Sequence, residues 1–242
     1  LTARNVLFRH LYAQPEADVD AVVGALLTHA KRLEPMLCDA SALLHERLAA
    51  HETILAEGQL GALRDPDHGI YPYSSSSSPL AGYIPVGAGV PAAAVTDVVA
   101  VAKAYSSCVG AGPFVTEWSG TQAEELRQRG GDRGEYGATT GRPRRVGPFD
   151  GVATRYGCRL QGATRGAPTN LDVLSYLEEI PVCRAYRIAG RPTRELPLTR
   201  YLEKAEPVFD RLLGWPGQDL THARRWQDLP DAARRYVDYI ED

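Results

Sequence analysis

The segment of the chain richest in anion-binding groups is GEYGATTGRPRRVG, residues 134–147. Its four glycines let backbone N–H groups approach a ligand closely. Two adjacent threonines add hydroxyl donors, and three arginines add planar guanidinium groups that match carboxylate and phosphate oxygens. The segment therefore predicts an anion-binding loop. A solvated, basic surface loop is the alternative that this composition leaves open.

The charge of the whole chain favours a small anionic ligand over a polyanion. The 242 residues include 27 Lys and Arg against 30 Asp and Glu, a formal net charge of −3. No global basic field attracts nucleic acid, so we expect no nucleic-acid partner. The composition, 44% hydrophobic and 24% charged, is typical of a soluble globular protein.

Membrane, disulfide and metal chemistry are not indicated by the sequence. No apolar run approaches the roughly 18 residues of a membrane helix, so we expect no membrane partner. The four cysteines and six histidines show no CxxC, HExxH or paired Cys/His spacing, and we assign no metal-ligating residue. Reduced thiols in a cytoplasmic protein are the simplest interpretation.

Alternating helical and strand patterns predict an α/β fold with a largely parallel sheet. The predicted helices are 18–50, divided at Pro35, then 95–105, 150–160, 173–180 and 231–241. The predicted strand segments are 52–58, 106–118, 166–172 and a hairpin of 182–190 with 191–199.

Residues 58–91 are predicted to form a long loop, and few loops of this length lack a function. Five consecutive serines, Ser74–Ser78, follow the aromatic turn GIYPY. They could form a flexible linker between domains. The aromatic residues beside them favour a packed turn that offers hydroxyl and N–H donors to an oxyanion.

Four motifs in series resemble adenylosuccinate synthetase: DHGIYPYSSSSSPLAG, KAYSSCVGAGPFVTE, GEYGATTGRPRRVG and TNLDVL. The similarity runs from about Glu57 to the last residue, and several motifs in one order are more specific than one glycine-rich loop. The resemblance implies a P-loop-NTPase-like, largely parallel central sheet flanked by helices. Residues 1–242 would form a single partial domain, with a helical part at 1–50 and a substrate- and guanine-binding part at 51–242.

The resemblance also implies a ligase of purine biosynthesis that joins IMP and L-aspartate while hydrolysing GTP. The 6-oxygen of IMP is phosphorylated first, and the aspartate amine then displaces that phosphate. Mg²⁺ bridges the phosphates and aspartate. Members of the family are usually homodimers, and a cytoplasmic location is expected.

Site residues are implied wherever this sequence matches a motif of the family. In these motifs the GATTGRPRR loop closes over aspartate, and Arg144 grips the carboxylate near the GTP ribose. Ser75 takes the place of a threonine that holds the IMP phosphate. The implied aspartate-binding residues are Val109, Gly137, Ala138, Thr139, Thr140, Gly141, Arg142 and Arg144. The implied IMP-binding residues are Gln59, Ser75 and Arg142.

The TNLD motif implies a guanine-binding site made by Asn170, Leu171 and Asp172, with Arg144 as a further GTP contact. Asp172 would accept the N1–H and N2–H₂ groups of guanine. An alternative role for Asp172 is the N-cap of a helix at VLSYL, and this role does not exclude the base contact.

Two positions depart from the family pattern. The family usually has Lys where Asn170 stands, which leaves the choice between GTP and ATP open. The glutamine that contacts IMP lies one place early, at Gln59, and Leu60 occupies its usual position. A paralogue that ligates aspartate to a different purine nucleotide is therefore an open alternative.

Parts of the family's catalytic machinery do not occur in this sequence. We find no glycine-rich phosphate loop with its catalytic aspartate, no matching general-acid histidine and no C-terminal guanine-contacting segment. Because the chain also begins LTARNVLFRHL without Met, we expect a fragment that is inactive alone. No catalytic residue is assigned to it, and the Mg²⁺ ligands are expected in the missing N-terminal part. His68 is interpreted as a turn residue rather than a substitute acid. A short homologue that binds nucleotide or dicarboxylate without turnover is the alternative.

Overall fold

The computed structural model describes residues 1–131 and 133–241. These residues divide into two compact units, Leu1–Ile54 and Leu55–Asp242. Within the described residues, no helix combines the length and apolar character that spanning a bilayer requires.

The first unit is helical. It contains α1 (Thr2–His10), α2 (Val19–Leu33) and α3 (Ala40–Ala49). Asp18 and Asp39 begin the second and third helices, because each carboxylate accepts a 3.0 Å hydrogen bond from a first-turn N–H. The predicted division at Pro35 is confirmed, since a 3₁₀ turn at Glu34–Met36 separates α2 from α3.

The second unit is α/β, as predicted. Its strands are β1 (Val99–Lys103), β2 (Ser106–Cys108), β3 (Arg145–Gly147), β4 (Phe149–Asp150), β5 (Arg165–Thr169), β6 (Glu179–Ile188), β7 (Arg191–Thr193) and β8 (Glu206–Leu213). Parallel pairing joins β1 to β5 and β4 to β6. Antiparallel pairing joins β2 to β3, and β6 to both β7 and β8. The predicted hairpin at Ala189-Gly190 is confirmed by the β6–β7 pair.

The helices of this unit are α4 (Ile84–Ala88), α5 (Gly120–Arg129), α6 (Gly151–Gln161), α7 (Thr199–Leu202) and α8 (Asp231–Glu241). The predictions for α6 and α8 are confirmed. The α6 helix begins at the buried Asp150, whose carboxylate accepts from the N–H groups of Val152 and Ala153 at 3.2 and 3.1 Å. The hydroxyl of Tyr186 donates to the other carboxylate oxygen at 2.6 Å, which ties this cap to β6.

Three predicted elements are wrong. Residues 95–105 contain strand β1 rather than a helix, because the Val-Ala alternation of 99–103 also fits a strand and pairs in parallel with β5. Residues 173–180 do not form the predicted helix. They contain the end of the 3₁₀ turn Asp172–Leu174 and the first residues of β6, which begins at Glu179. Residues 52–58 form no strand.

The core of the second unit centres on aromatic side chains. Trp215 and Tyr236 are fully buried and pack edge to face, with 5.7 Å between ring centroids. The Tyr236 hydroxyl donates to the carbonyl of Ala104 at 2.5 Å. This bond joins α8 to the backbone just after β1, next to the buried Tyr105.

We expect Tyr236→Phe to lower the free energy of unfolding by about 1–2 kcal/mol, because a buried carbonyl loses its side-chain donor. Urea unfolding of the variant checks this. The matched control is Tyr239→Phe, whose hydroxyl donates to Asp210 at a partly exposed site. Equal losses in the two variants would contradict the role assigned to the buried bond.

Candidate functional site

The glycine-rich segment folds as a tight hairpin. Tyr136 and Pro143 form an isolated antiparallel bridge. Above it, the N–H of Gly137 donates to the carbonyl of Arg142, and the N–H of Gly141 donates to the carbonyl of Gly137, both at 2.8 Å. Gly141 has a φ of +63°, a conformation that glycine adopts without strain. The hairpin therefore depends on glycine at its turn.

The tip of the hairpin is exposed to solvent. It contains five of the predicted aspartate-binding residues: Ala138, Thr139, Thr140, Gly141 and Arg142. Among the described residues, the Thr139 hydroxyl and the Arg142 guanidinium have no hydrogen-bond partner, whereas the Thr140 hydroxyl accepts from the N–H of Arg142 at 3.4 Å. Side-chain donors at the tip are thus available to a ligand.

The base of the hairpin is held by a buried carboxylate. Glu135 is 1% exposed. It accepts hydrogen bonds from the ammonium of Lys103, from the Tyr105 hydroxyl at 2.5 Å and from the Arg144 guanidinium at 3.0 Å. Gly130 leaves the space for this arrangement, since a Cβ there would lie 2.5 Å from Glu135 Cγ. One carboxylate therefore joins the end of β1 to the hairpin.

The partners of Glu135 keep it ionised. Burial by itself raises the pKa of the carboxyl, but the bonds from Lys103, Tyr105 and Arg144 outweigh burial and hold the pKa below its usual value. Burial and the adjacent Glu135 raise the pKa of Tyr105, so that this residue stays a neutral donor. A buried anion with three donors results.

Arg144 is placed so that part of its guanidinium remains free. Its Nη1 bonds to Glu135, while its Nε is buried and has no partner among the described residues. The side chain is 33% exposed. The backbone is fixed as well, because its carbonyl accepts from Arg127 Nε at 2.9 Å. Arg144 is thus oriented through Nη1, while its Nη2 has no hydrogen bond among the described residues, which suits the carboxylate contact predicted for it.

The TNLD motif lies beside the same network. Asn170 follows β5 in a left-handed conformation, with a φ of +61°. The N–H of Ala104 donates to the carbonyl of Thr169 at 2.8 Å, so Tyr105 and Asn170 each follow a bonded residue. Beside the larger effects of burial and Glu135, Asn170 lowers the pKa of Tyr105 and the charge of Asp172 raises it. Tyr105 therefore connects Glu135 and Arg144 to the predicted guanine-binding motif.

Asp172 does not cap an α-helix. It is the first residue of the 3₁₀ turn Asp172–Leu174. Leu171 precedes it and packs against the core with Leu174. Asp172 itself is exposed, and its carboxylate has no side-chain hydrogen bond among the described residues. The alternative role as a helix N-cap is wrong, and the predicted base contact is untested.

The serine run is an ordered turn built on Arg64 and Asp65. The N–H of Ser75 donates to the Arg64 carbonyl at 2.8 Å, and the Ser75 hydroxyl lies 3.0 Å from the same oxygen. The Ser78 hydroxyl donates to the buried Asp65. Asp65 also accepts from the N–H of His68 at 2.8 Å. Burial raises the pKa of Asp65, but these donors outweigh it and the pKa is lowered.

Two further predicted residues lie near this turn, and His68 belongs to it. Val109 follows β2, and its carbonyl accepts from Arg64 at 2.7 Å. Gln59 lies in an exposed segment without a hydrogen-bond partner among the described residues, although the adjacent Gly58 approaches the carbonyl of Pro79. His68 is exposed, and its backbone completes the turn, as predicted.

Sequence reasoning missed Lys103, Tyr105, Glu135 and Arg64. Glu135 lies in the segment GEYGATTGRPRRVG. An acidic residue at the start of an arginine-rich loop could have indicated an ion pair with one of the arginines. Arg64 gave no signal, because its partners are backbone oxygens and the Cys108 sulfur, and most of them lie more than 40 residues away along the chain. As for metals, the described part of the chain holds no group of three or more His, Cys, Asp or Glu side chains placed to bind an ion.

Comparison with known proteins identifies relatives over the whole chain. A family model described as adenylosuccinate synthetase matches residues 1–242. The adenylosuccinate synthetases of Acidothermus cellulolyticus and Mycobacterium marinum are 45% and 44% identical to this chain, and the matches cover 100% of it. They cover 56% and 55% of those relatives. The chain thus spans about half the length of the curated relatives it matches.

A solved structure gives a similar result. The fully ligated adenylosuccinate synthetase from Plasmodium falciparum is 31% identical to this chain and superposes with a TM-score of 0.89. The superposition covers 99% of this chain and 57% of the other. The fold described above is therefore that of the corresponding part of this relative.

The Glu135 network predicts a pH-dependent contribution to stability. Because the folded-state pKa is lowered, the contribution is present above the unfolded-state pKa of about 4.3 and is lost as pH falls through the folded-state pKa. We expect Glu135→Gln to reduce the free energy of unfolding at pH 7 by about 1–2 kcal/mol, since solvent partly screens Lys103 and Arg144.

Urea unfolding between pH 7 and pH 3 checks this expectation. The difference between wild type and variant should shrink as the pH falls. The matched control is Glu195→Gln, which removes an exposed carboxylate paired with Arg159. If the difference in free energy of unfolding between wild type and Glu135→Gln stayed constant over this pH range, the stabilisation by Glu135 would not depend on its charge.

Proposed function

Because this chain belongs to the adenylosuccinate synthetase family, we propose that its full-length protein is a ligase that joins IMP to L-aspartate with hydrolysis of GTP. The γ-phosphoryl group of GTP passes to the 6-oxygen of IMP. The aspartate amine then attacks C6, the C6–N bond forms, and inorganic phosphate leaves. GDP and adenylosuccinate are the other products.

In this proposal the present chain positions substrates, and no catalytic residue is assigned to it. Holding the amine against C6 turns a bimolecular encounter into an attack within one complex. A network that fixes the relative places of aspartate, IMP and GTP is the contribution required of such a chain. The Glu135 carboxylate supports this most strongly, because it bonds Arg144 and Tyr105, and the residue before Tyr105 bonds the first residue of the TNLD motif, Thr169.

Aspartate is assigned to the hairpin. The free guanidinium hydrogens of Arg144 would pair with a substrate carboxylate, and a charged pair of this kind is worth about 1.5–3 kcal/mol. The hydroxyls of Thr139 and Thr140 and the N–H groups of residues 138–140 would complete the contact as the exposed tip closes, because the N–H groups of Gly137 and Gly141 already bond within the hairpin. Val109 would meet aspartate from the turn after β2.

IMP is assigned to the serine turn, with Ser75 as the phosphate donor and Arg142 and Gln59 as further contacts. In this structure the Ser75 hydroxyl lies 3.0 and 2.6 Å from the carbonyl oxygens of Arg64 and Ser77, and it can donate to either. With IMP bound, the hydroxyl would donate its hydrogen bond to the phosphate instead. The exchange keeps the turn intact, because the backbone bond from Ser75 N–H to Arg64 remains.

GTP is assigned to Asn170, Leu171 and Asp172. The exposed Asp172 carboxylate offers two acceptors to the N1–H and N2–H₂ of guanine, whereas adenine presents no such pair of donors. The 3₁₀ turn that begins at Asp172, with Val173 and Leu174 buried, fixes the carboxylate at the rim of the core.

We extend the proposal to Mg²⁺ as cofactor, a homodimer and a cytoplasmic location, all of which rest on the family resemblance. The described residues offer no cluster that fits a metal ion. No step is therefore assigned to Mg²⁺ through this chain.

We expect Arg144→Leu in the full-length protein to raise the KM for aspartate by about 10- to 100-fold, and the KM for IMP much less. Glu135 keeps Lys103 and Tyr105 as donors, so the fold should survive. Steady-state kinetics with each substrate varied in turn measures the effect. Arg159→Leu, at an exposed pair, is the control. Equal changes for aspartate and IMP would count against the assignment.

We expect Asp172→Asn to abolish the preference for GTP. The carboxamide loses one acceptor for guanine and gains a donor that suits the 2-oxo group of xanthine, so XTP should improve relative to GTP. Comparison of kcat/KM for GTP, ATP and XTP tests this. Asp238→Asn, at an exposed position on α8, is the control. Unchanged selectivity would remove Asp172 from the base-binding site.

A further inference from the structure

The four consecutive carbonyls of the turn after β2, Val109–Gly112, accept hydrogen bonds from two arginines. The two arginines bond alternate carbonyls. Arg64 donates to the carbonyls of Val109 and Ala111 at 2.7 and 3.1 Å. Arg145 donates to those of Gly110 and Gly112 at 3.2 and 2.7 Å. We call this segment the glycine turn, and every peptide oxygen in it is bonded to one guanidinium or the other.

The glycine turn depends on such outside contacts. Gly110 and Gly112 have φ values of +85° and +114°, so the backbone adopts conformations that other residues disfavour. A Cβ on Gly112 would lie 2.9 Å from the ring of Tyr73. With two glycines and an exposed Val109, the turn has little side-chain packing of its own.

Arg64 joins the glycine turn to the serine turn. Its Nη1 also donates to the Tyr73 carbonyl at 2.6 Å, and its Nη2 donates to the Cys108 sulfur at 2.6 Å. All four Nη hydrogens are thereby used. Its backbone carbonyl holds the N–H of Ser75. A single residue therefore contacts the serine turn, to which IMP is assigned, and the turn that carries Val109, an assigned aspartate contact.

Arg145 is anchored independently. Its Nε and Nη2 bond both oxygens of Glu117, at 2.8 and 2.5 Å. It lies opposite Cys108 in the β2–β3 ladder, directly after the hairpin. The bonds to Glu117 raise its pKa, so it stays charged. Arg145 supports the glycine turn from the hairpin side, while Arg64 supports it from the serine side.

The direction of the carbonyls fixes the direction of the amides. In a trans peptide the N–H points opposite to the preceding C=O, so the N–H groups of residues 110, 111 and 112 face away from the guanidinium that holds each peptide. No backbone acceptor is assigned to these three N–H groups within the described residues. The N–H groups of residues 110 and 112 therefore face away from Arg64, and that of residue 111 faces away from Arg145.

We propose that Arg64 is a positioning residue that fixes the glycine turn against the serine turn and thereby aligns aspartate with IMP. This proposal rests on the proposed function for the identity of the two ligands. We assign Arg64 no contact with either ligand; it acts through Tyr73, Ser75 and the carbonyls of residues 109 and 111. Apart from the Cys108 sulfur, the partners of its guanidinium are backbone oxygens, so its loss should loosen both turns together.

The test uses Arg64→Leu and Arg64→Lys in the full-length protein. Arg64→Leu should raise the KM for aspartate and for IMP about tenfold each, while the KM for GTP stays within twofold, because none of the hydrogen bonds of the Arg64 guanidinium among the described residues goes to the TNLD motif. Arg64→Lys should give an intermediate effect, since one ammonium cannot reach all four acceptors. Arg159→Leu is the control. Equal changes for all three substrates, or none for aspartate, would overturn the proposal.

Hydrogen–deuterium exchange on the same proteins gives a second readout that needs no activity. Arg64→Leu should speed exchange in peptides that cover residues 73–78 and 106–116, with no change at 165–172. Unchanged exchange in the first two peptides would overturn the proposal. If Arg64→Leu speeds exchange but the wild-type protein forms no adenylosuccinate, the proposed function is wrong. The result would still show that Arg64 holds the glycine turn and the serine turn together. Faster exchange with unchanged KM values would remove the positioning role.

Discussion

The buried carboxylate of Glu135 is the constraint on which the rest of the site depends. An ionised group that is 1% exposed must be compensated by donors, and here the compensation comes from three donors on two segments of the chain. Lys103 and Tyr105 come from the end of β1, and Arg144 comes from the hairpin. Because the anion cannot be left unpaired without a large penalty, the hairpin cannot move at its base without disturbing β1. The same demand fixes the Tyr105 hydroxyl against Glu135.

The site rests on two polar networks rather than on regular secondary structure. The strands that border it are short: β2 and β3 have three residues each. Strands of this length fix little of the chain beyond their ends. The loops between them are fixed instead by charged side chains, with Glu135 on the side of the TNLD motif and Arg64 with Arg145 on the side of the serine turn. Guanidinium groups suit this task, since their several donors can satisfy several loop carbonyls at once.

Much of the fold was predictable, and the failures have physical causes. The α2–α3 pair, α6 and α8 were predicted because capping residues and helical spacing lie within each segment. Strand β1 was predicted as a helix, since a run such as VVAVA fits both periods and only pairing with β5 decides between them. For the site, Arg144 and Asp172 were named from motifs, and those roles are still predictions. Arg64 and Tyr105 could not be found, because their partners lie 44 and 30 residues away along the chain.

The hairpin combines a fixed base with a free tip, and this division has an energetic consequence. A contact with Arg144 meets a group that Glu135 and Arg127 already hold, so little conformational entropy is lost when a ligand binds there. A contact with Thr139 or Arg142 meets side chains without described partners, and ordering each of them costs up to about 2 kcal/mol. The base should therefore supply most of the affinity for a carboxylate. The tip is better suited to closing over a ligand that is already bound, because its weaker net gain leaves opening and product release easy.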